Sequence, residues 1–142
     1  MSRIRKQLGR LYFLHIFAIL AVWLSMYIPG LDFLFAIIYI LLIIVEGKES
    51  VVSLGASQTL IAALLWQLPG LVLAALVMQS LSYNAIFLLE IWVTPLIPVI
   101  SLAPALFTHA YSITYYQGYY GALLAIILLY LFPLITKIWK HK

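Results

Sequence analysis

Long apolar runs separated by short polar breaks dominate the chain, and four of these runs predict helices that cross a lipid bilayer. A helix rises 1.5 Å per residue, so about 20 mostly apolar residues cover a hydrocarbon layer of roughly 30 Å. The turn Pro29-Gly30 separates the first two runs, and the charged run Glu46-Gly47-Lys48-Glu49-Ser50 separates the second from the third. Ser50 is expected to cap the third helix. The predicted spans are residues 11–28, 31–45, 57–79 and 121–138.

A fifth apolar run, residues 85–107, is long enough to cross but contains Pro95, Pro98 and Pro104. Proline removes a backbone donor, and membrane helices tolerate this only where neighbouring groups satisfy the freed carbonyls. The run therefore predicts either a broken helix packed inside the bundle or a re-entrant hairpin. The tyrosine-rich residues 109–120 that follow are typical of a membrane interface.

The distribution of basic residues predicts the topology. Four Lys or Arg residues precede the first span, and three lysines lie at the end of the last span. The positive-inside rule then favours the cytoplasmic or organelle-matrix side for both termini, which requires an even number of crossings. We expect four spans, with residues 85–107 not crossing, in a bacterial inner membrane or an organelle inner membrane. The alternative is five spans with the C-terminus outside.

The composition agrees with an all-α, polytopic membrane helix bundle that forms one domain over residues 1–142. Hydrophobic residues make up 66% of the chain and charged residues 8%, with a mean hydropathy of +1.14, whereas a soluble domain carries about 25% charge. The basic N-terminus could open a signal peptide, but the run 11–28 lacks a small-residue cleavage pattern, so we interpret it as a retained span. Cysteine is absent, which excludes disulfides and thiolate metal sites. The basic termini are expected to contact anionic lipid headgroups and not nucleic acid.

Glu90 is the first candidate functional residue, because an ionisable group inside a membrane segment costs about 2.5 to 3.5 kcal/mol on insertion scales. It could bind a proton or an ion, or pair with a partner protein. The alternative is that Glu90, six residues after Asn84, reaches the water of the headgroup layer.

His15 and His109 could in principle join Glu90 in a proton relay or a metal site. No His-x-x-x-His or Glu-x-x-His spacing occurs, His15 lies one turn inside the basic N-terminal edge, and His109 begins the tyrosine-rich stretch. We therefore interpret both histidines as interfacial residues and expect no metal and no cofactor.

Gln58 and Gln67 lie nine residues apart, about 180° around a helix, and so cannot line one stripe. Each is expected to make an interhelical hydrogen bond, a common form of adhesion between membrane helices. The same segment carries small residues that allow close helix approach, namely Ala62, Ala63, Gly70, Ala74 and Ala75. The three prolines of the fourth run either kink the helix for structural reasons or, as in transporters, leave backbone carbonyls open towards a substrate.

Residues 28–65 resemble small multi-span proteins related to the inner-envelope channel subunit of the chloroplast protein-import translocon, and their short bacterial relatives of unknown function. The resemblance rests on Ile28-Pro29-Gly30-Leu31, the charged run Glu46 to Ser50, and Gln58-Thr59-Leu60-Ile61. It implies four spans with both termini on one side and a noncatalytic role in a membrane complex.

The leading hypothesis is thus a noncatalytic subunit or accessory factor that binds other membrane proteins through the small-residue and glutamine-bearing helix faces. The alternative is a small transporter or channel that uses Glu90 and the broken fourth segment. A lipid-modifying enzyme with His109 and Glu90 as acid and base ranks below both, because the sequence has no phosphate loop, nucleophile elbow or paired carboxylates.

Overall fold

The structure is a computed structural model that describes residues 2–102 and 113–140, with the backbone alone for residues 113–117. The described residues are helical and contain no strand, which confirms the predicted all-α bundle. A 3-10 turn, Thr94–Leu96, joins the fourth helix to the fifth. The helices are α1 (Ser2–Ser25), α2 (Leu31–Leu54), α3 (Ala56–Met78), α4 (Tyr83–Val93), α5 (Ile97–Ile100) and α6 (Ile113–Trp139).

Two glycines with left-handed backbone angles make the first two connections. Gly30 has a φ of 84° immediately before α2, as expected for the predicted Pro29-Gly30 turn. Gly55 has a φ of 83° and is the only residue between α2 and α3. A side chain at either position would be strained, because L-residues rarely adopt this conformation.

The charged run Glu46 to Ser50 does not form the predicted break between helices. It is helical, and α2 continues past residue 45 to Leu54. Ser50 is buried inside α2, where its hydroxyl oxygen lies 3.2 Å from that of Thr59, so it does not cap α3. The helix tolerates these charges because Arg10 of α1 binds both carboxylates.

Helices α1, α2, α3 and α6 lie side by side along the length of the bundle. Gln7 of α1 contacts Glu46 near the end of α2, and His15 contacts Tyr39 further along, so these helices are antiparallel. On α6, the main chain of Tyr130 lies against Gly47. The end at which α1 and α3 begin and α2 and α6 end is called the basic end below, and the opposite one the far end.

The proline-broken segment enters the bundle from the far end and turns back at its centre. Tyr83, at the start of α4, lines a groove with Tyr120 near the start of α6. The end of α4 reaches the centre, and α5 then returns, because Ile100 lies beside Gly118 at the same end of α6. This arrangement corresponds to the re-entrant hairpin, one of the two alternatives predicted for this run.

By length and composition, four segments of the described chain are able to cross a membrane: Ser2–Ser25, Ala56–Met78, Tyr83–Ile100 and Gly118–Trp139. This set differs from the four predicted spans, because it includes the proline-broken segment and omits residues 31–45. Helix α2 is as long as α1, at 24 residues, but holds four charged residues, three of them at the basic end. Large apolar side chains cover the outside, such as Phe13 at 75% and Phe17 at 61% exposure. These features describe a membrane-embedded protein with an apolar surface for lipid.

The predicted bounds of the first and last spans change in the structure. Helix α1 begins at Ser2, not at residue 11, and ends at Ser25, and α6 begins at Ile113 within the tyrosine-rich stretch. Tyr119 of that stretch is buried in the core of the bundle, with 5% exposure. Tyr119 and Tyr120 join the core because they continue the face of α6 that covers α3.

Candidate functional site

His15 lies at the centre of the bundle, fully buried, and joins three helices. Its Nδ1 atom is 2.6 Å from the Tyr39 hydroxyl oxygen of α2. Its Nε2 atom is 2.9 Å from the Trp92 carbonyl oxygen of α4. The prediction of an interfacial histidine is therefore wrong for His15. The polar ring is tolerated in the core because both of its nitrogens have hydrogen-bond partners.

The carbonyl of Trp92 is free to accept this bond because of Pro95. In the 3-10 turn after α4, a carbonyl bonds to the N–H three residues later, and the residue three after Trp92 is proline. Pro95 has no N–H to donate. His15 supplies the missing donor from another helix and thereby holds the turning point of the re-entrant segment.

The two hydrogen bonds assign the protonation of His15. A carbonyl only accepts, so Nε2 must carry the proton that binds Trp92. In the neutral ring Nδ1 then accepts, and the Tyr39 hydroxyl donates to it. The neutral Nε2–H tautomer thus satisfies both partners with no charge in the core.

Aromatic rings enclose this histidine, and a glutamine fixes the indole of Trp92. The His15 ring centroid lies 4.3 Å from that of Trp92 and 5.7 Å from that of Trp66. The Trp92 Nε1 donates to Gln67 Oε1 of α3 at 3.0 Å. The five side chains are called the central clamp below: His15, Tyr39, Trp66, Gln67 and Trp92. They connect α1, α2 and α3 to the tip of the re-entrant segment.

The second polar cluster lies at the basic end. Arg10 donates to Glu49 at 2.7 and 2.9 Å and to Glu46 at 2.7 Å. Gln7 donates to the other oxygen of Glu46 at 3.0 Å. The hydrogen bond from Arg10 holds the pKa of the Glu49 carboxyl below its usual value. The cluster joins the start of α1 to the end of α2.

The predicted prolines lie at the turn of the re-entrant segment, where Pro95 and Pro98 are buried. Glu90 lies one turn before them on α4, partly buried, and its main-chain carbonyl accepts from the Thr94 hydroxyl at 3.1 Å. It is not hydrogen bonded to His15, whose two nitrogens bind Tyr39 and Trp92. Pro104 and His109 lie outside the described residues.

The glutamines and small residues of α3 differ in burial and in their contacts. Gln67 makes the predicted interhelical hydrogen bond, whereas Gln58 is exposed in the first turn of α3. Ala62, Ala63 and Gly70 are buried inside the bundle, with Gly70 against Trp92 and Leu123. All the predicted small residues of α3 except the exposed Ala75 are therefore used to pack this chain's own helices.

No family model, curated protein or solved structure matches the chain. The resemblance over residues 28–65 therefore stays a prediction. Within residues 2–102 and 113–140, no group of three His, Cys, Asp or Glu side chains is placed to bind a metal ion.

The buried polar residue whose position sequence reasoning missed is His15, together with its partners Tyr39 and Trp92. The signal that could have found it was Pro95, because a proline in a buried segment frees a carbonyl that some donor must satisfy. Which donor does so depends on contacts between distant helices.

Proposed function

We propose that the protein is a noncatalytic integral membrane subunit or accessory factor of a membrane protein complex. The observation that carries this proposal is the central clamp. Its histidine and tyrosine are chemically able to transfer protons or bind polar ligands, yet they bind each other and the backbone of Trp92. The Gln67 oxygen is bound by the Trp92 indole, and of the clamp's side-chain donors only Gln67 Nε2 and Trp66 Nε1 are buried without a partner among the described residues. Such groups hold helices together and leave the outer surface for contacts with other molecules.

The outer apolar face of α1 supports a role in protein contacts. Phe13 and Phe17 stack there with ring centroids 6.5 Å apart, and both are exposed. Aromatic side chains are enriched in the centres of protein interfaces. This face replaces the small-residue face of α3, which is buried.

Photo-crosslinking in native membranes tests the proposal. A photoreactive residue is placed at Phe17 on α1, at Leu64 on α3 or at Leu128 on α6, which are 61%, 55% and 56% exposed. We expect a covalent adduct with a second polypeptide from Phe17 and fewer adducts from the other two. The absence of protein adducts at all three positions, with a monomer after mild detergent extraction, would contradict it.

The re-entrant segment favours a second candidate function, a small transporter or channel. Non-helical backbone at membrane depth is tolerated where it is buried in protein or lines a water-filled cavity, and Glu90 lies one helical turn before the 3-10 turn. In this function Glu90 would bind the transported proton or cation. Against it, the Trp92 carbonyl that a substrate would use already accepts from His15.

Flux measurements in proteoliposomes separate the two functions. A transporter that uses Glu90 loses its pH-dependent flux when Glu90→Gln is introduced, whereas Asp32→Asn serves as a control at the far end. Flux that is absent from the wild type, or unchanged by Glu90→Gln, removes this candidate.

For the orientation, we propose that the basic end faces the cytoplasm or the organelle matrix, in a bacterial inner membrane or an organelle inner membrane. The described charged residues at this end are mainly basic, and the positive-inside rule places such residues on the cytoplasmic side. The chain lacks cysteine, so single cysteines at Ser2 and Ser82 report the two ends. An impermeant thiol reagent applied to intact cells should label Ser82→Cys, and labelling of Ser2→Cys instead would reverse the orientation.

A further inference from the structure

The four basic residues of the first two and a half turns of α1 have different surroundings, although they look alike in sequence. Arg10 forms three hydrogen bonds with two carboxylates of α2. Arg3, Arg5 and Lys6 are exposed, and none of them forms a salt bridge within the described residues. Of these three cations, only Lys6 lowers the pKa of the Glu49 carboxyl, and its effect is weaker than that of Arg10.

The pairing of Arg10 leaves no other carboxylate for the remaining cations at this end. Glu46 and Glu49 are the only acidic residues of the described basic end, and both are bound by Arg10. Lys137 of α6 and Lys140, which follows the end of α6, add positive charge there, because both lie beyond Tyr130. The basic end therefore carries an excess of exposed positive charge.

The height of these cations along the bundle matches the headgroup layer of a membrane. Phe13 follows Lys6 by seven residues, a rise of about 10 Å along the helix, and its ring is 75% exposed on the apolar surface. At the end of α6, Trp139 is 82% exposed beside Lys140, as expected for a residue at the interface. Cations at this level meet lipid phosphates before they meet soluble anions.

We propose that Arg3, Arg5 and Lys6 form a binding site for the headgroups of anionic phospholipids, and that Arg10 takes no part in it. The three side chains present ammonium and guanidinium donors on the first turns of one helix, where each cation near an anionic surface contributes to binding. Arg10 instead joins α1 to α2. This inference does not depend on the proposed function, because a subunit and a transporter would both retain the site.

Lipid titrations on the full-length protein in a neutral detergent test the site. The probe is phosphatidylglycerol, with phosphatidylcholine and inorganic phosphate as comparison ligands, and binding is measured by native mass spectrometry and by the shift in unfolding temperature. We expect phosphatidylglycerol to bind and stabilise the protein, more weakly at high salt. Equal effects of phosphatidylcholine or of inorganic phosphate would overturn the proposal.

Two variants separate the site from the structural cluster. Arg3→Gln/Arg5→Gln/Lys6→Gln should weaken phosphatidylglycerol binding on the order of a hundredfold, because three cations are lost, with little change in unfolding temperature without lipid. The control Arg10→Gln/Glu49→Gln keeps the net charge of the chain and should keep the wild-type affinity while it unfolds at a lower temperature. An equal loss of lipid affinity in both variants would overturn the assignment.

Discussion

The Nε2 atom of His15 lies 2.9 Å from the carbonyl oxygen of Trp92, although the two residues are 77 positions apart in the chain. This hydrogen bond supplies the donor that the Trp92 carbonyl lacks because Pro95 has no N–H. One side chain of the first helix therefore holds the fourth apolar segment at the point where Pro95 makes it turn. The predictions below follow from this bond and from two contacts nearer the basic end.

Replacing His15 with alanine should destabilise the bundle by about 3 kcal/mol. The Trp92 carbonyl and the Tyr39 hydroxyl lose their partner in the core, and a cavity remains. The free energy of unfolding in mixed micelles with increasing denaturing detergent measures the loss. Phe17→Ala, at an exposed position of the same helix, is the control, and an equal loss in both variants would contradict the role of His15.

Replacing Pro95 with alanine should reduce the dependence on His15. The new N–H lies three residues after Trp92 and can bind the carbonyl that His15 now serves. In a double-mutant cycle, His15→Ala should cost about 1 kcal/mol less in the Pro95→Ala background. Costs that add within about 0.5 kcal/mol would mean that the two residues act independently.

Gly47→Ala should loosen the contact between α2 and α6. A Cβ atom at Gly47 would overlap the main-chain carbonyl of Tyr130, which cannot rotate away. We expect a loss of about 1 to 3 kcal/mol. A Cβ atom at Gly9 meets no atom within 4 Å, so Gly9→Ala should be neutral or stabilise α1 by up to about 1 kcal/mol. The unfolding temperatures of the two variants check this prediction: Gly47→Ala should unfold at a lower temperature than the wild type, and Gly9→Ala should not.

Stability should fall in acid in a way that depends on Glu49. Arg10 lowers the pKa of Glu49 in the folded state below its ordinary value of 4.5. The pair of Arg10 and Glu49 therefore stabilises the folded state fully above pH 4.5. This stabilisation is lost as the pH falls through the lowered pKa of Glu49 in the folded state. Unfolding temperatures measured from pH 6 to pH 3 should decline less in Glu49→Gln than in the wild type. Lys48→Gln should keep the wild-type decline, and an unchanged profile in Glu49→Gln would refute the pairing.

The features predicted correctly from the sequence are those that the local backbone dictates. Pro29-Gly30 made a turn because Gly30 can adopt a positive φ, and Pro95 and Pro98 broke the fourth run because proline cannot donate. Hydropathy predicted the helical membrane class, since no soluble core accommodates so apolar a chain.

The features that were missed depend on distant partners. The charged run of α2 looked like a loop, but Arg10, 36 to 39 residues earlier, compensates its carboxylates and keeps it helical. His15 looked interfacial because the donor that Trp92 needs cannot be assigned before the helices are packed. The small residues of α3 predicted close helix packing correctly. The helices that they pack against are this chain's own α4 and α6, however, and not those of another membrane protein.

The return of α5 beside Gly118 has a consequence for how the protein is assembled in the membrane. Because the segment from Tyr83 to Ile100 leaves by the end through which it entered, its docking moves no hydrophilic connection through the lipid. The hydrogen bond between His15 and Trp92, which joins the first helix to this segment, therefore needs no further crossing of the bilayer in order to form.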